Sequence, residues 1–226
     1  MPLAIFDLDN TLLNGDSDYL WGKFLVSRGI VDGERYEQEN QRFYEEYKVG
    51  TLDIHEFQAF SLAPLTTMNV EQRSKLHKIY MQEVIQPLIT SASRKLIDKH
   101  RNDGYTLIII TATNHFVTAP IAKALGIENL LATDPETHNG RFTGKIDGVP
   151  CYQQGKVTRL HNWLKSTGNN LHESWFYSDS HNDLPLLEIV SHPIAVDPDV
   201  TLKAHALAKG WPIISLRDSK IKTIQA

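Results

Sequence analysis

Cysteine is nearly missing: Cys151 stands alone in 226 residues. No intramolecular disulfide can form, and a reducing compartment, the cytoplasm, is the expected setting. Long apolar runs are missing too. None approaches the roughly 18 residues of a membrane helix, so no membrane association is expected. The opening MPLAIFDLDN lacks a basic n-region, so a signal peptide is not expected either. There is no excess of positive charge. The 23 Lys and Arg are outnumbered by 27 Asp and Glu, for a net charge of −4, and no basic tract occurs. That argues against a nucleic-acid partner. With 13 Gly and 10 Pro the chain is neither collagenous nor disordered, and it carries no repeat or low-complexity segment. What remains is an ordinary globular composition, 41% hydrophobic, in a chain long enough to bury a core without staples.

Two textures alternate along the chain. The first is a set of short apolar runs ending in polar or acidic residues: LAIFDLD (3–9), YTLIIIT (105–111), SWFYSD (174–179) and HPIAVD (192–197). Continuous apolar runs of strand length suit a parallel sheet covered on both faces. Helical patterns lie between them, in SASRKLIDKHRNDG, TNHFVTAPIAKALG, QGKVTRLHNWLKSTG and NDLPLLEIV, with Pro120 and Pro185 placed in first turns. Strand–helix alternation implies an α/β doubly wound sheet, with WPIISL (211–216) as an added edge strand.

The second texture fills residues 16–86, which interrupt the α/β pattern just after the first strand. Four helical segments are expected there, near 17–30, 34–49, 53–62 and 70–86. The expected division is a core of 1–15 and 87–226 with a helical cap of 16–86. The insert holds 12 acidic and 8 basic residues and 10 of the 20 aromatics. Most of those aromatics are expected in its core, as half-buried helical stripes usually are. A polar stretch, 132–149, carries Asn139-Gly140, a hairpin signal.

Ligands of open α/β sheets bind beyond the carboxyl ends of the strands. Here those ends read Asp7-Leu8-Asp9-Asn10-Thr11, Thr111-Ala112-Thr113-Asn114 and Asp179-Ser180-His181-Asn182-Asp183, with Lys156 opening the helix before the third. Four carboxylates, a hydroxyl and an ammonium are thus expected at one rim. Carboxylates this close repel unless a cation offsets them. Mg²⁺ fits, since it takes oxygen ligands and keeps waters and a substrate phosphate; Asp7 and Asp179 are the natural side-chain ligands. The run IIIT is expected to lead straight into a helix whose free N–H groups, with the Thr111 hydroxyl and Lys156, bind an anion. Asp7 and Asp9, two apart, share a face of an extended strand, and a turn starting there would make them diverge.

The order DLDNT, IIIT, Lys156, SDSHND resembles the four motifs of the haloacid dehalogenase superfamily of phosphatases, from about residue 3 to 200. The insert after the first motif resembles the cap of the subfamily that includes phosphoserine phosphatases and some histidinol-phosphate phosphatases. The resemblance implies a Rossmann-like doubly wound sheet and Mg²⁺ as cofactor. It implies that Asp7 is the nucleophile and a metal ligand, and Asp9 the general acid/base, binding metal through its carbonyl. Thr111 and the Ala112 amide would hold phosphate, and Lys156 would neutralise charge. Asp179 would complete the metal shell, Asp183 would hold a metal-bound water or orient Lys156, and Asn182 would contact phosphate.

Two departures bear on the substrate. Where phosphoserine phosphatases carry a Glu that reads the substrate ammonium, this chain has Asp16, with Asp18 nearby. Their cap Arg, which binds the substrate carboxylate, has no counterpart: counting from Gly50 reaches Ala59, and no Arg lies between 43 and 72. The expected partner is a small phosphorylated metabolite, histidinol phosphate or another amino-alcohol phosphate, with phosphoserine hydrolysis or phosphotransfer as alternatives. A Mg²⁺ receiver domain and a binding protein without turnover fit less well, given both motif-one aspartates and the insert. Oligomeric state is not legible.

Overall fold

The computed structural model describes residues 2–224. Its centre is β1 (Leu3–Phe6), every residue of which is buried. β1 pairs in parallel with β2 (Thr106–Asn114) on one side and β5 (Ser174–Ser178) on the other. β3 (Asn129–His138) follows β2, while β6 (His192–Val196) and β7 (Ile213–Ser215) follow β5, all parallel. Antiparallel β4 (Arg141–Asp147) and β8 (Lys222–Thr223) close the two edges, giving the order β4-β3-β2-β1-β5-β6-β7-β8. The expected edge strand is therefore β7, itself covered by a two-residue strand.

Alternate residues face opposite layers. Ala4, Phe6, Leu107 and Ile109 join a cluster with α6 (Ser91–Asn102) and α7 (His115–Ala124); Leu3, Ile5, Ile108 and Ile110 join another with α8 (Gln154–Thr167), α9 (Leu184–Leu187) and α10 (Val200–Lys209). Helices on both faces explain why the strands read as unbroken apolar runs. The Asn139-Gly140 turn joins β3 to β4 with both residues at positive φ (50° and 74°), as a two-residue hairpin loop requires.

The insert forms α1 (Ser17–Ser27), α2 (Gly33–Val49), α3 (Ile54–Thr66) and α4 (Val70–Tyr80), which runs on through a π-type turn, Met81–Ile85, into α5 (Gln86–Leu88). Caps fix the starts: Asp16 on α1, Asp53 on α3, and a reciprocal Asn69–Gln72 box on α4. Trp21, Phe24, Leu62, Leu65 and Tyr80 share the cluster that lies on the sheet. A smaller cluster, Phe43 and Leu52 with core residue Tyr152, lies apart from it. Half of the insert's 10 aromatics, Tyr19, Phe43, Tyr44, Tyr47 and Phe57, line the cavity described below, which reduces the share left to pure core packing.

Three local expectations need correction. β2 continues to Asn114, so α7 starts four residues beyond Thr111, later than the helical pattern from Thr113 suggests, and its first N–H groups do not adjoin Thr111. A register shift in the β2–β3 ladder between Ile110 and Asn114 accommodates the extension. Pro120 lies inside α7, not in its first turn, because the Asn114 cap sets the helix start upstream. NDLPLLEIV makes only a 3₁₀ turn, His181–Asp183, and the four-residue α9, with Pro185 in its first turn as expected.

Candidate active site

After β1 the chain winds into a π-type turn, Leu8–Leu12, broken by extended Asp9 (φ −71°, ψ 134°) and left-handed Asn10 (φ 55°). Asn tolerates that region better than most residues. The turn sends Asp7 and Asp9 apart. Asp7 Oδ1 accepts from Lys156 Nζ at 2.8 Å, while Asp9 accepts from the Ser17 N–H (2.6 Å) at the start of the insert and from Thr113 Oγ1 (2.7 Å) of β2. Lys156 Nζ also donates to Asp183 Oδ2 at 2.8 Å, and Ser178 Oγ donates to the same oxygen at 2.7 Å. Thr11 Oγ1 donates to Asp179 Oδ1 at 2.9 Å and lies 3.4 Å from Asp7 Oδ2. Asp7, Asp9, Asp179, Asp183 and Lys156 thus converge at the ends of β1 and β5, together with Thr111 and Ala112 of β2.

Lys156 reaches this point because α8 starts very close to the chain before it. A Cβ on Gly155 would lie 2.0 Å from the Pro150 carbonyl oxygen, so only glycine fits there. Burial alone would favour the neutral amine, but the charges of Asp183 and Asp7 reverse this and hold the ammonium protonated. Burial pushes Asp7 up to about 7 against the pull of Lys156. Burial, with the charge of Asp16 adding to it, pushes Asp9 to about 7. Asp179 is raised by burial and by Asp7 beside it. One ammonium among these carboxylates leaves the rim short of positive charge.

That deficit is the test of the expected Mg²⁺. Among the described residues no three acidic, His or Cys side chains form a ready cage. Mg²⁺ does not need one, since it binds through one or two carboxylates plus waters and phosphate oxygens. Asp7 and Asp179, both raised chiefly by burial and then by neighbouring carboxylates, fit that pattern. The Asp183 carboxylate is held against Lys156 instead.

Asn182 donates from Nδ2 to the Tyr47 carbonyl (2.8 Å) and accepts at Oδ1 from Gln153 Nε2 (3.0 Å) and Tyr152 OH (3.2 Å). Gln153 Nε2 lies 3.3 Å from the Gly50 carbonyl. These bonds join the end of α2 to the rim. Asp16 spends Oδ1 on the N–H groups of Asp18 and Tyr19. Sequence reasoning missed Arg217, whose guanidinium donates to the carbonyls of Leu13 (3.0 Å) and Asn10 and so braces the Asp7 turn from the far end of the chain. It sits in no motif, so only the fold reveals it.

Between rim and insert lies a narrow cavity of about 40 Å³, lined by Asp7, Asp9, Thr111 and Ala112 below and by Asp16, Asp18 and the five aromatics above. Neither Lys nor Arg is among its lining residues. Strand-end carboxylates gripping a buried lysine beneath such a roof mark a phosphohydrolase of the α/β class. The haloacid dehalogenase-like hydrolase model matches residues 4–188, and the chain belongs to that family. Its relatives make it a phosphatase. A histidinol-phosphatase of Neisseria meningitidis is 43% identical over 219 residues, covering 95% of this chain and 99% of that protein. A phosphoserine phosphatase of Mycobacterium tuberculosis is 32% identical, covering 95% of this chain and 70% of that one. A solved protein of unknown function from Bordetella pertussis superposes with a TM-score of 0.90 at 42% identity, covering 95% of this chain and 98% of that one. Substrate-bound phosphoserine phosphatase shares the fold at a TM-score of 0.70 and 20% identity, covering 97% of this chain and 94% of that one. Among the described residues no helix is long and apolar enough to cross a membrane.

Proposed function

We propose that the protein is a Mg²⁺-dependent phosphomonoesterase that works through an aspartyl-phosphate on Asp7, with histidinol phosphate as its substrate. Asp7 attacks phosphorus and the ester P–O bond breaks, while Asp9 gives its proton to the leaving oxygen. Asp9 then takes a proton from water, which attacks phosphorus and frees Asp7 and phosphate. A carboxyl held near neutrality suits both proton steps. Lys156 keeps Asp7 oriented and offsets charge, positioned by Asp183 and Ser178. Thr111 and Ala112 line the phosphate end. Mg²⁺ held by Asp7, Asp179 and the Asp9 carbonyl would supply electrostatic stabilisation of the phosphoryl oxygens. The insert acts as a cap, latched through Asn182 and Gln153, that keeps bulk water out. The lone buried Cys151 is consistent with a cytoplasmic setting.

One observation carries the substrate reading: the cavity has carboxylates and aromatic rings for the leaving group and no cationic side chain for a substrate carboxylate. Histidinol phosphate brings an ammonium and an imidazole and no carboxylate. The relative named histidinol-phosphatase points the same way. The test is kcat/KM for histidinol phosphate, phosphoserine, phosphoethanolamine and glycerol phosphate, with and without Mg²⁺. Histidinol phosphate should lead and EDTA should abolish turnover. Preference for phosphoserine, or full activity without metal, would contradict the proposal.

A further inference from the structure

We propose that Asp18, rather than the N-cap Asp16, selects the leaving group by pairing its carboxylate with the substrate's positive charge; this rests on the phosphomonoesterase reading above. Asp18 is 6% exposed and lines the cavity. Its Oδ1 accepts from Ser61 Oγ of α3 at 2.9 Å. Its Oδ2 is buried and has no hydrogen-bond partner. A buried carboxylate oxygen without a donor in the chain is costly, and calls for a partner from outside it, a ligand group or an ordered water.

The surroundings say what that donor is. Tyr19, Phe43, Tyr44, Tyr47 and Phe57 line the same cavity, and ring faces attract an ammonium or imidazolium. Asn40 donates to the Tyr19 carbonyl at 3.0 Å, and Asp16 Oδ1 accepts from two backbone N–H groups of α1. Burial lifts the Asp18 carboxyl to about 7, as expected of an acid whose counter-charge arrives with the ligand. A purely structural role, tying α1 to α3 through Ser61, accounts for Oδ1 and leaves Oδ2 without a purpose.

The experiment measures kcat/KM of the full chain with Mg²⁺ on two cationic esters, histidinol phosphate and phosphoethanolamine, and on neutral glycerol phosphate. Wild type is compared with Asp18→Asn, Asp16→Asn and Ser61→Ala. Asp18→Asn should cut the cationic-to-neutral ratio by about 30-fold or more, mostly through KM, as expected for loss of a desolvated charge pair. Asp16→Asn and Ser61→Ala should keep the ratio, since neither removes the Asp18 charge. A structural tie would instead make Ser61→Ala and Asp18→Asn behave alike, and that would overturn the proposal. So would a ratio that survives Asp18→Asn. A wild type that prefers cationic esters while Asp18→Asn keeps the preference sinks only the assignment to Asp18. A wild type without the preference sinks the substrate reading as well. Thermal melts at pH 8 confirm folding of Asp18→Asn, which removes a buried charge and should melt no lower than wild type.

Discussion

Replacing Lys156 by Met tests the site as a structural element as well as a catalytic one. Lys156 is 1% exposed, and its ammonium lies 2.8 Å from both Asp7 Oδ1 and Asp183 Oδ2. Met fills similar space but leaves both carboxylates without their cation. Removing one partner of a buried pair typically costs about 3–5 kcal/mol. For a chain of this size that lowers Tm by roughly 6–20 °C. The cost depends on pH, and its sign follows from Asp7. The Asp7 carboxyl already sits at about 7 in the fold against 3.8 unfolded, and losing Lys156 raises it further. A carboxyl raised by folding penalises the native state only once pH exceeds the unfolded value, and the penalty grows until the folded value is passed. Lys156→Met should therefore be most destabilising at pH 8 and much less so at pH 5, where Asp7 takes a proton. Urea denaturation of metal-free protein at the two pH values measures this. Adding Asp183→Asn to Lys156→Met should recover stability at pH 8. A loss under about 1 kcal/mol, or one equal at both pH values, would refute the idea that Lys156 offsets buried charge.

Other perturbations separate the remaining roles. Asp9→Asn should slow alkyl phosphates by about 10²–10⁴-fold, the usual worth of general acid catalysis, and aryl phosphates far less; equal losses would remove Asp9 from that role. Gly155→Ala should displace Lys156 and reduce both stability and kcat, because its Cβ would meet the Pro150 carbonyl at 2.0 Å; an unaffected variant would contradict the close approach. His100, bonded to Tyr177 OH at 2.7 Å beneath the sheet, is pushed down to about 4 by burial, with Lys99 adding to it. A histidine lowered by folding supports the native state above its unfolded value of 6.5, and that support fades as pH falls toward 4. Wild type should thus lose about 2–3 kcal/mol more than His100→Phe between pH 7 and 4.5, read by urea denaturation at each pH. Equal losses would mean that His100 does not titrate with unfolding.

The parallel sheet was legible because strands buried on both faces leave unbroken apolar runs, as in Leu3–Phe6 and Thr106–Ile110. The rim was legible because Asp7, Asp9, Asp179 and Asp183 fall where such runs end, and Lys156 opens the helix that precedes the third of them. Features set by distant contacts were not. Arg217 reaches Asn10 and Leu13 across some 200 positions. β8 exists only because β7 offers it an edge. The extension of β2 past Thr111 depends on pairing between Asn114 and Thr133 of β3, which no local pattern announces. Sequence singled out Asp16 and Asp18 together, but the distinction between them is three-dimensional: one caps a helix, and the other is buried with an oxygen left over.

The central claim is that Asp7 carries the phosphoryl group during turnover. Acid quenching of the enzyme during turnover of a ³²P-labelled substrate, followed by peptide mapping, tests it directly. The account predicts acid-stable, hydroxylamine-labile label on the peptide containing Asp7 in wild type and none in Asp7→Asn. Turnover without labelled enzyme in wild type, or label persisting in Asp7→Asn, would contradict it.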